Sequence, residues 1–187
     1  MNNSFYDLSV YTTPSSSDEG IIIGAGLSQN YIYDSFIDTN AADISISGTQ
    51  NAGSFLKLYN VTWNKSDAVI ESANFVLENY NYLEANVTDT ADSSGIEGAN
   101  VSVFNSEDEL SESGLTNSSG YLKMVLLEFM QNSSGKYVEG NYTVNTTKVL
   151  YDEDSRQVNM SGNVWIDVGL TLLVNYWNCT SGTYNFS

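Results

Sequence analysis

The chain has 187 residues, with 6 Lys and Arg against 23 Asp and Glu, no His, and a formal charge of −17. So few cations cannot neutralise a polyanion, which excludes nucleic-acid binding. Without imidazole, and with Cys179 as the one thiol, the sequence also excludes ordinary zinc sites, hydrolases that use a His base, and an internal disulfide. No segment approaches the roughly 20 apolar residues of a membrane-spanning helix.

The sequence is poor in cations and rich in asparagine, serine and threonine. The chain has 22 Asn, 26 Ser and 14 Thr. Random placement of Ser and Thr would give about five N-x-S/T triplets, the acceptor motif for N-linked glycans. The sequence contains twelve such triplets, and this excess predicts a secreted, N-glycosylated protein. The alternative is that Asn, Ser and Thr cluster because turns favour them. The triplets start at Asn2, Asn60, Asn64, Asn86, Asn100, Asn117, Asn132, Asn141, Asn145, Asn159, Asn178 and Asn185.

The amino terminus does not resemble a secretion signal. Residues 1–4 lack the basic start and the apolar middle that such signals need. For a secreted protein this indicates that the sequence is a fragment, or that Met1 is not native.

The first part of the chain contains an imperfect repeat. Three related segments, residues 5–10, 32–37 and 58–63, begin 27 and 26 residues apart. Each is followed by a shorter apolar segment that ends in a turn of small residues. A period of this length predicts the coils of a parallel β-solenoid, in which each coil buries its apolar face against the next. Ordinary meander strands are the alternative.

Residues 1–80 resemble the last coils of right-handed parallel β-helix repeat proteins. The resemblance rests on Asn3-Ser4-Phe5-Tyr6, on residues 30–36, and on Phe55-Leu56 running into residues 61–66. It implies a pectate-lyase-like or NosD-like surface protein, of a type common in archaea, with about three coils in this segment.

Residues 81–174 form a second predicted module. Leu83, Ala85 and Val87 alternate with polar residues, and turn signals recur along the segment. About seven short strands of this kind predict an immunoglobulin-like β-sandwich. Residues 87–103 and the turn Ser119-Gly120-Tyr121 resemble carboxypeptidase-regulatory-like modules, which implies a passive extracellular spacer.

Strand alternation predicts where sugar is attached on this module. Successive side chains of a strand point to opposite faces, so acceptors that alternate with apolar residues face outward. The five acceptors placed on the outer face in this way are Asn86, Asn100, Asn141, Asn145 and Asn159.

The sequence offers little for catalysis. β-Helix lyases need Lys or Arg, and their hydrolase relatives need clustered carboxylates. Residues 1–80 contain Lys57 and Lys65 as their cations and no tight acidic cluster, so we predict no catalytic residues and no cofactor. Calcium is the one plausible ion because it takes oxygen ligands alone. Its candidate ligands are Asp89 with Asp92 and Asp152 with Asp154, and hydrated acidic turns are the alternative.

Aromatic residues supply a candidate sugar-binding platform. We expect Trp63 to pack in the core, whereas Trp165 alternates with apolar neighbours and is expected on the opposite face. The platform candidates are Trp63, Trp165, Trp177 and Tyr184.

Both ends of the predicted fold expose unpaired strands. A solenoid that begins near Phe5 presents an open apolar cross-section and a free strand edge. The tail, residues 175–187, continues aromatic beyond the sandwich and is suited to pairing with a neighbour's sheet. Either the chain was cut from a longer surface protein or it self-assembles. The predicted assembly residues are Phe5, Leu172, Val174, Tyr176 and Trp177.

Together these features predict an all-β protein, with a short right-handed parallel β-helix followed by an immunoglobulin-like sandwich. The predicted function is that of a non-enzymatic, N-glycosylated extracellular structural protein of a surface layer or filament. Its predicted partners are covalent glycans and copies of itself or neighbouring surface-protein segments. The alternatives are a carbohydrate-binding adhesin and, third, a fragment of a polysaccharide-processing enzyme.

Overall fold

The computed structural model describes residues 2–11 and 19–173, and within these ranges the fold is all-β with no helix. None of the described residues belongs to a helix long and apolar enough to cross a membrane. The strands are β1 (Asn2–Tyr6), β2 (Ser9–Tyr11), β3 (Ile21–Ile23), β4 (Gln29–Asp38), β5 (Ile44–Ile46), β6 (Ser54–Thr62), β7 (Ala68–Ile70), β8 (Phe75–Asp89), β9 (Asn100–Phe104), β10 (Leu110–Leu115), β11 (Tyr121–Asn132), β12 (Gly135–Val138), β13 (Asn141–Thr147), β14 (Asp154–Asn159) and β15 (Val164–Leu170).

The strands form three sheets. The largest has eight strands in the order β1-β4-β6-β8-β11-β12, with β2 also paired to β4 and β15 also paired to β8. A four-stranded sheet has the order β10-β9-β13-β14, and a three-stranded sheet has the order β3-β5-β7. The large sheet is mixed, because β1, β4, β6 and β8 pair in parallel whereas β8, β11 and β12 pair antiparallel.

The repeated segments lie side by side in the large sheet. Phe5 pairs with Ile32, which pairs in turn with Leu58, so equivalent repeat positions are neighbours across the strands. The side chains of Ile32, Leu56 and Leu58 face the three-stranded sheet and are buried. They share a core with Ile44 and Ile46 of β5, which are fully buried.

The predicted right-handed parallel β-helix is not what the structure shows. The series of parallel repeat strands ends at β8, because the antiparallel strand β11 occupies the place where another parallel coil would lie. The repeat also loses its period there, since Ser54 pairs with Phe75, only 21 residues later. Residues 1–80 therefore contribute parallel strands to a mixed sheet rather than coils of a separate helix.

The second half of the chain folds as a β-sandwich. One layer consists of the second half of β8 with β11 and β15, and the other is the four-stranded sheet. Leu83, Ala85 and Val87 point into the shared core, as their alternation predicts, and are at most 1% exposed. Val101 and Val144 face them from the four-stranded sheet.

Strand β8 links the two cores. Its alternate side chains are buried from Phe75 to Val87. Phe75 and Leu77 belong to the core of the parallel strands, whereas Leu83 and the residues after it belong to the sandwich core. The predicted boundary at residues 80–81 thus falls inside one continuous strand.

Two glycines allow a close crossing in the sandwich. Gly120 has a φ of +80°, and a Cβ added to it would lie 2.1 Å from the carbonyl oxygen of Val87. A Cβ on Gly95 would lie 2.2 Å from the carbonyl oxygen of Ser119. The backbone hydrogen bonds between these segments, Val87 N–H to Gly120 C=O among them, require this approach.

We predict that Gly120→Ala destabilises the protein by about 2 kcal/mol or more, because the new methyl group meets backbone at a φ that L-residues rarely adopt. Gly162→Ala is the matched control, since nothing lies within 4 Å of its Cβ position and its φ is not left-handed. The measurement is the urea midpoint of each variant. Equal midpoints for both would show that the crossing has room for a side chain.

Candidate functional site: an open sheet edge with a tyrosine column

One edge of the large sheet is open. Among the described residues β1 pairs with β4 on one side and with no strand on the other. Phe5 is 46% exposed and Tyr6 is 62% exposed on this edge. The unpaired N–H and C=O groups of such an edge can accept a further strand.

A cavity opens beside this edge. It has a volume of about 410 Å³ and lies between β1 and β3, the end strands of the large and the three-stranded sheets. Buried Ile32 and Leu56 form part of its wall, so the cavity reaches the core of the parallel strands. The cavity is lined by Asn3, Phe5, Leu8, Gly20, Ile21, Ile22, Ile23, Gly24, Ser28, Asn30, Ile32 and Leu56.

A column of stacked tyrosine rings crosses the outer face of the same sheet. Tyr6, Tyr33, Tyr59 and Tyr80 occupy paired positions on β1, β4, β6 and β8. Their ring centroids are 4.7, 4.7 and 4.8 Å apart, with interplanar angles of 9°, 10° and 9°. These distances match the spacing of paired strands, so the parallel register places each ring on the next.

The column leaves one ring face free at the open edge. The rings of Tyr33 and Tyr59 are each covered on both faces by neighbouring tyrosines. Among the residues that the structure describes, Tyr6 stacks on Tyr33 alone, and it is the most exposed ring of the column. A sugar or side chain can therefore stack on the column at Tyr6, while the inner rings present only their edges.

A left-handed residue follows three of these tyrosines. Asp7, Asp34 and Asn60 have φ values of 52°, 48° and 54°. Short polar side chains tolerate this conformation because they hydrogen-bond locally. The Asn60 amide donates to Asp34 Oδ1 at 2.7 Å, and Asn163 donates to Asn60 Oδ1 at 2.6 Å. Asp34 and Asn60 are thus left-handed positions inside β4 and β6, whereas Asp7 lies between β1 and β2.

The predicted assembly residues divide between described and undescribed parts of the chain. Phe5 lines the cavity at the open edge. Leu172 is 39% exposed and forms an isolated antiparallel bridge with Tyr151. Val174, Tyr176 and Trp177 lie outside the described residues, together with the rest of the predicted tail.

The ten described glycan acceptors are exposed or half-buried, and none is buried. On the four-stranded sheet, Asn141 pairs with Asn159 and the Asn159 amide donates to Asn141 Oδ1 at 2.8 Å. Asn145 lies on the same face and accepts from Ser155. Asn178 and Asn185 lie outside the described residues. Glycosylation itself stays a prediction.

The candidate calcium ligands are occupied by hydrogen bonds within the chain. Asp89 accepts from the Ala91 N–H and the Tyr151 hydroxyl, and Asp92 accepts from the Ser94 N–H. Asp152 accepts from the Thr171 N–H, and Asp154 forms a bidentate pair with Arg156. No group of three or more acidic or thiol ligands converges among the described residues.

The two described candidate tryptophans lie in different environments. Trp63 is 7% exposed and packs against Phe129 in the core. Trp165 is 54% exposed on the outer face of the large sheet, and its ring stacks with Tyr121 at 6.0 Å. Trp165 is therefore accessible to a ligand and Trp63 is not. Trp177 and Tyr184 lie outside the described residues.

Sequence reasoning missed a buried polar cluster at the junction of the two cores. Lys65, Asn79 and Asn81 all contact one oxygen of Glu128, at 2.5, 2.9 and 2.7 Å. Asn79 and Asn81 occupy inward positions of β8, between Leu77 and Leu83, which is a visible break in the apolar alternation. Nothing in the sequence indicates their partners, because Glu128 lies 49 residues beyond Asn79.

No family model matches the chain, and no curated protein matches it. Among solved structures, the chain is similar to the shaft pilin SpaA of Lactobacillus rhamnosus GG at 14% identity, covering 52% of each chain with a TM-score of 0.41. It is similar to the Bacillus anthracis TIE protein at 17% identity, covering 55% of this chain and 20% of that one, with a TM-score of 0.41. It is similar to the group B streptococcus pilus 2b backbone protein at 13% identity, covering 49% of this chain and 41% of that one, with a TM-score of 0.37.

The chain thus spans about half of the shaft pilin and less of the other two proteins. The predicted family is wrong, both for the pectate-lyase-like or NosD-like β-helix and for the carboxypeptidase-regulatory-like module. No family model supports the resemblance, and the parallel strands of residues 1–80 join antiparallel strands in one mixed sheet.

We predict that stability falls at alkaline pH because the tyrosine column must remain uncharged. Burial, followed by the neighbouring tyrosines and Glu78, raises the pKa of Tyr59 from 10.0 to about 12. A raised pKa in the folded state means that the stabilisation is complete below pH 10 and is lost as the pH rises through 12. The measurement is the free energy of unfolding across this range. The variant Tyr59→Phe keeps the stack without the ionisable hydroxyl and is expected to lose less stability, so an identical pH profile would contradict the prediction.

Proposed function

We propose that the chain is a non-enzymatic structural subunit of an extracellular filament or surface layer, and that copies join through the open edge at β1. The observation that carries the proposal is the combination at this edge of an unpaired strand, an apolar cavity and the exposed end of the tyrosine column. Each of these features ends abruptly at β1. A second chain placed there would satisfy all three.

The opposite edge of the large sheet is the proposed partner surface. Strand β12 pairs with β11 and with no other strand among the described residues, and its four residues are exposed. Tyr137 is 51% exposed and Val138 is 69% exposed. Pairing β1 of one copy with β12 of the next would continue the sheet between copies. Contacts between two different surfaces do not close on themselves in a pair, so they generate rings or open filaments.

Charge favours the same pairing. The sequence has no Lys or Arg before Lys57, so the β1 end carries only carboxylates such as Asp7. The β12 edge carries Lys136, whose ammonium lies 3.7 Å from the centre of the Phe129 ring. Opposite charge across an interface fixes orientation and suppresses wrong partners more than it adds affinity.

We expect Phe5→Asp to abolish self-association, because it places a carboxylate at the apolar cavity and adds charge to an end that is already acidic. Sedimentation and electron microscopy of the concentrated protein measure the assembly. Leu110→Asp is the matched control, since Leu110 is 59% exposed on β10, an edge strand of the other sheet. Polymers that persist in the Phe5 variant, or a native chain that stays monomeric, would refute the proposal.

We further propose that N-glycans cover the outer face of the four-stranded sheet. The support is the accessibility of the acceptors and the chemistry of the face. Its cross-strand pairs are neutral and polar, such as Gln157 with Thr143 at 2.8 Å and Ser155 with Asn145 at 2.7 Å. Such a face tolerates water and covalently attached sugar without burying charge.

Intact-mass measurement of natively sourced protein tests the glycan coat. We expect a mass above that of the bare chain, lowered by one glycan in Asn141→Gln. Asn51→Gln is the control, because Asn51 is exposed but does not begin an acceptor triplet, and its glycan mass should not change. A native mass equal to the bare chain would remove this part of the proposal.

Carbohydrate binding remains the alternative function. Trp165 supports it, because its ring is exposed and, with Tyr121, forms an aromatic surface on the large sheet. A sugar stacked on Trp165 or on Tyr6 would leave the unpaired edge of strand β1 without a role, and for this reason we favour assembly.

A further inference from the structure

The buried cluster at the junction of the cores brings together an amine, a carboxylate and a carboxamide. Lys65 Nζ lies 2.5 Å from Glu128 Oε2, and Asn79 Nδ2 donates to the same oxygen at 2.9 Å. The amine and the amide nitrogen are thus within two hydrogen-bond lengths of each other. Asn79 is fully buried and Glu128 is 8% exposed. These are the three groups that amide exchange between a lysine and an asparagine requires.

The carbonyl of Asn79 is polarised by a fourth residue. The indole N–H of Trp63 donates to Asn79 Oδ1 at 2.9 Å, and Trp63 is itself buried. A fixed donor on this oxygen stabilises the negative charge that develops there when a nucleophile adds to the carbonyl carbon. Phe129 packs beside Trp63, and both rings are buried. Every polar atom of the Asn79 side chain therefore contacts a group suited to a step of the exchange.

Backbone geometry aims the carboxylate at this site. Glu128 lies in β11 at the point where its register with β8 shifts between Leu127 and Phe129. A β-bulge of this kind inserts an extra residue and re-aims its side chain. Both the carboxylate of Glu128 and the ring of Phe129 consequently reach the buried side of the sheet. The side chain of Glu128 is 10% exposed and that of Lys65 is 26% exposed, and the Lys65 ammonium also donates to the carbonyl of Ser161 at 2.8 Å.

We propose that Lys65 and Asn79 form an intramolecular isopeptide bond within the folded chain, without a cofactor. Lys65 passes a proton along its contact to Glu128, and its neutral amine adds to Cγ of Asn79. Trp63 stabilises the resulting oxyanion. Glu128 gives this proton to Nδ2, the Cγ–Nδ2 bond breaks and ammonia leaves. Glu128 then takes the remaining surplus proton from Nζ as the neutral Nζ–Cγ amide forms. The amine and the amide become a secondary amide and ammonia, so no oxidant or other reactant is needed.

Proximity supplies the main advantage of this reaction. In solution an amine attacks a carboxamide extremely slowly, whereas groups held in contact react as though at very high effective concentration. The fold holds Lys65 in the connection between β6 and β7, Asn79 in β8 and Glu128 in β11. The reaction therefore requires the native structure and is expected to follow folding.

Asn79 rather than Asn81 is the proposed acceptor. The amide nitrogen of Asn81 donates both to Glu128 at 2.7 Å and to the carbonyl of Met160 at 2.6 Å. The second contact holds the nitrogen that would have to leave. The amide nitrogen of Asn79 donates to Glu128, which is the group that would protonate it. The side-chain carbonyl oxygen of Asn79 accepts a hydrogen bond from the indole of Trp63.

The inference does not depend on the proposed assembly or on glycans, so bacterially produced full-length protein is suitable for the test. We expect an intact mass about 17 Da below that of the unreacted chain, corresponding to one ammonia. Trypsin should then fail to cleave after Lys65, so the peptide that spans residues 58–123 stays whole. A mass equal to the unreacted chain, with normal cleavage after Lys65, would overturn the proposal.

Variants separate the isopeptide bond from other losses of ammonia. Lys65→Arg keeps the ion pair with Glu128 but removes the nucleophile, and Glu128→Gln keeps the side-chain shape but removes the proton carrier. Both are expected to retain the full mass. A cyclic imide formed at an asparagine would lose the same mass without Lys65, so a loss that persists in Lys65→Arg would refute the bond.

Two matched controls complete the test. Lys57→Arg alters a lysine that pairs with Glu78 on the outer face at 2.8 Å, and it should retain the loss of mass. Asn81→Ser should also retain it, whereas Asn79→Ser should abolish it. A cross-link that survives Asn79→Ser and disappears in Asn81→Ser would assign the reaction to the other asparagine and contradict the proposal. Circular dichroism of each variant verifies that it is folded.

Discussion

The fold depends on one long strand, β8, and on the two kinds of pairing that it accepts. Its first half pairs in parallel with β6, and its second half pairs in parallel with β15. Along most of its length it also pairs antiparallel with β11. Alternate side chains from Phe75 to Val87 are buried on one face, so the same strand supplies both hydrophobic cores.

The sharing of β8 explains why polar residues lie in the middle of the molecule. Asn79 and Asn81 fall where one core ends and the other begins. Buried carboxamides must be hydrogen-bonded, and the bulged Glu128 accepts from both. Lys65 then compensates the charge of the carboxylate. The polar junction is therefore a consequence of joining two cores through one strand, and it brings reactive groups together.

The outer face follows from the parallel register in the same way. Parallel strands in register place equivalent side chains next to one another, so a tyrosine that recurs in the sequence becomes a column of rings. The column ends at Tyr80 because the next strand, β11, is antiparallel and places Leu127 opposite it. At the other end it is open at Tyr6. The tyrosine column therefore ends against another strand at Tyr80 and at the exposed sheet edge at Tyr6, so its two ends differ.

The sequence by itself determined the all-β class, the repeated segments, the inward residues of the sandwich and the exposed side of Trp165. These are set by alternation and period, which are local properties of the chain. Only the tertiary structure decided that β11 would end the series of parallel repeat strands and that Lys65, Asn79 and Glu128 would meet. Those contacts join residues far apart in sequence, through a bulge and a register that depend on the packing of the whole sheet, so no local pattern encodes them.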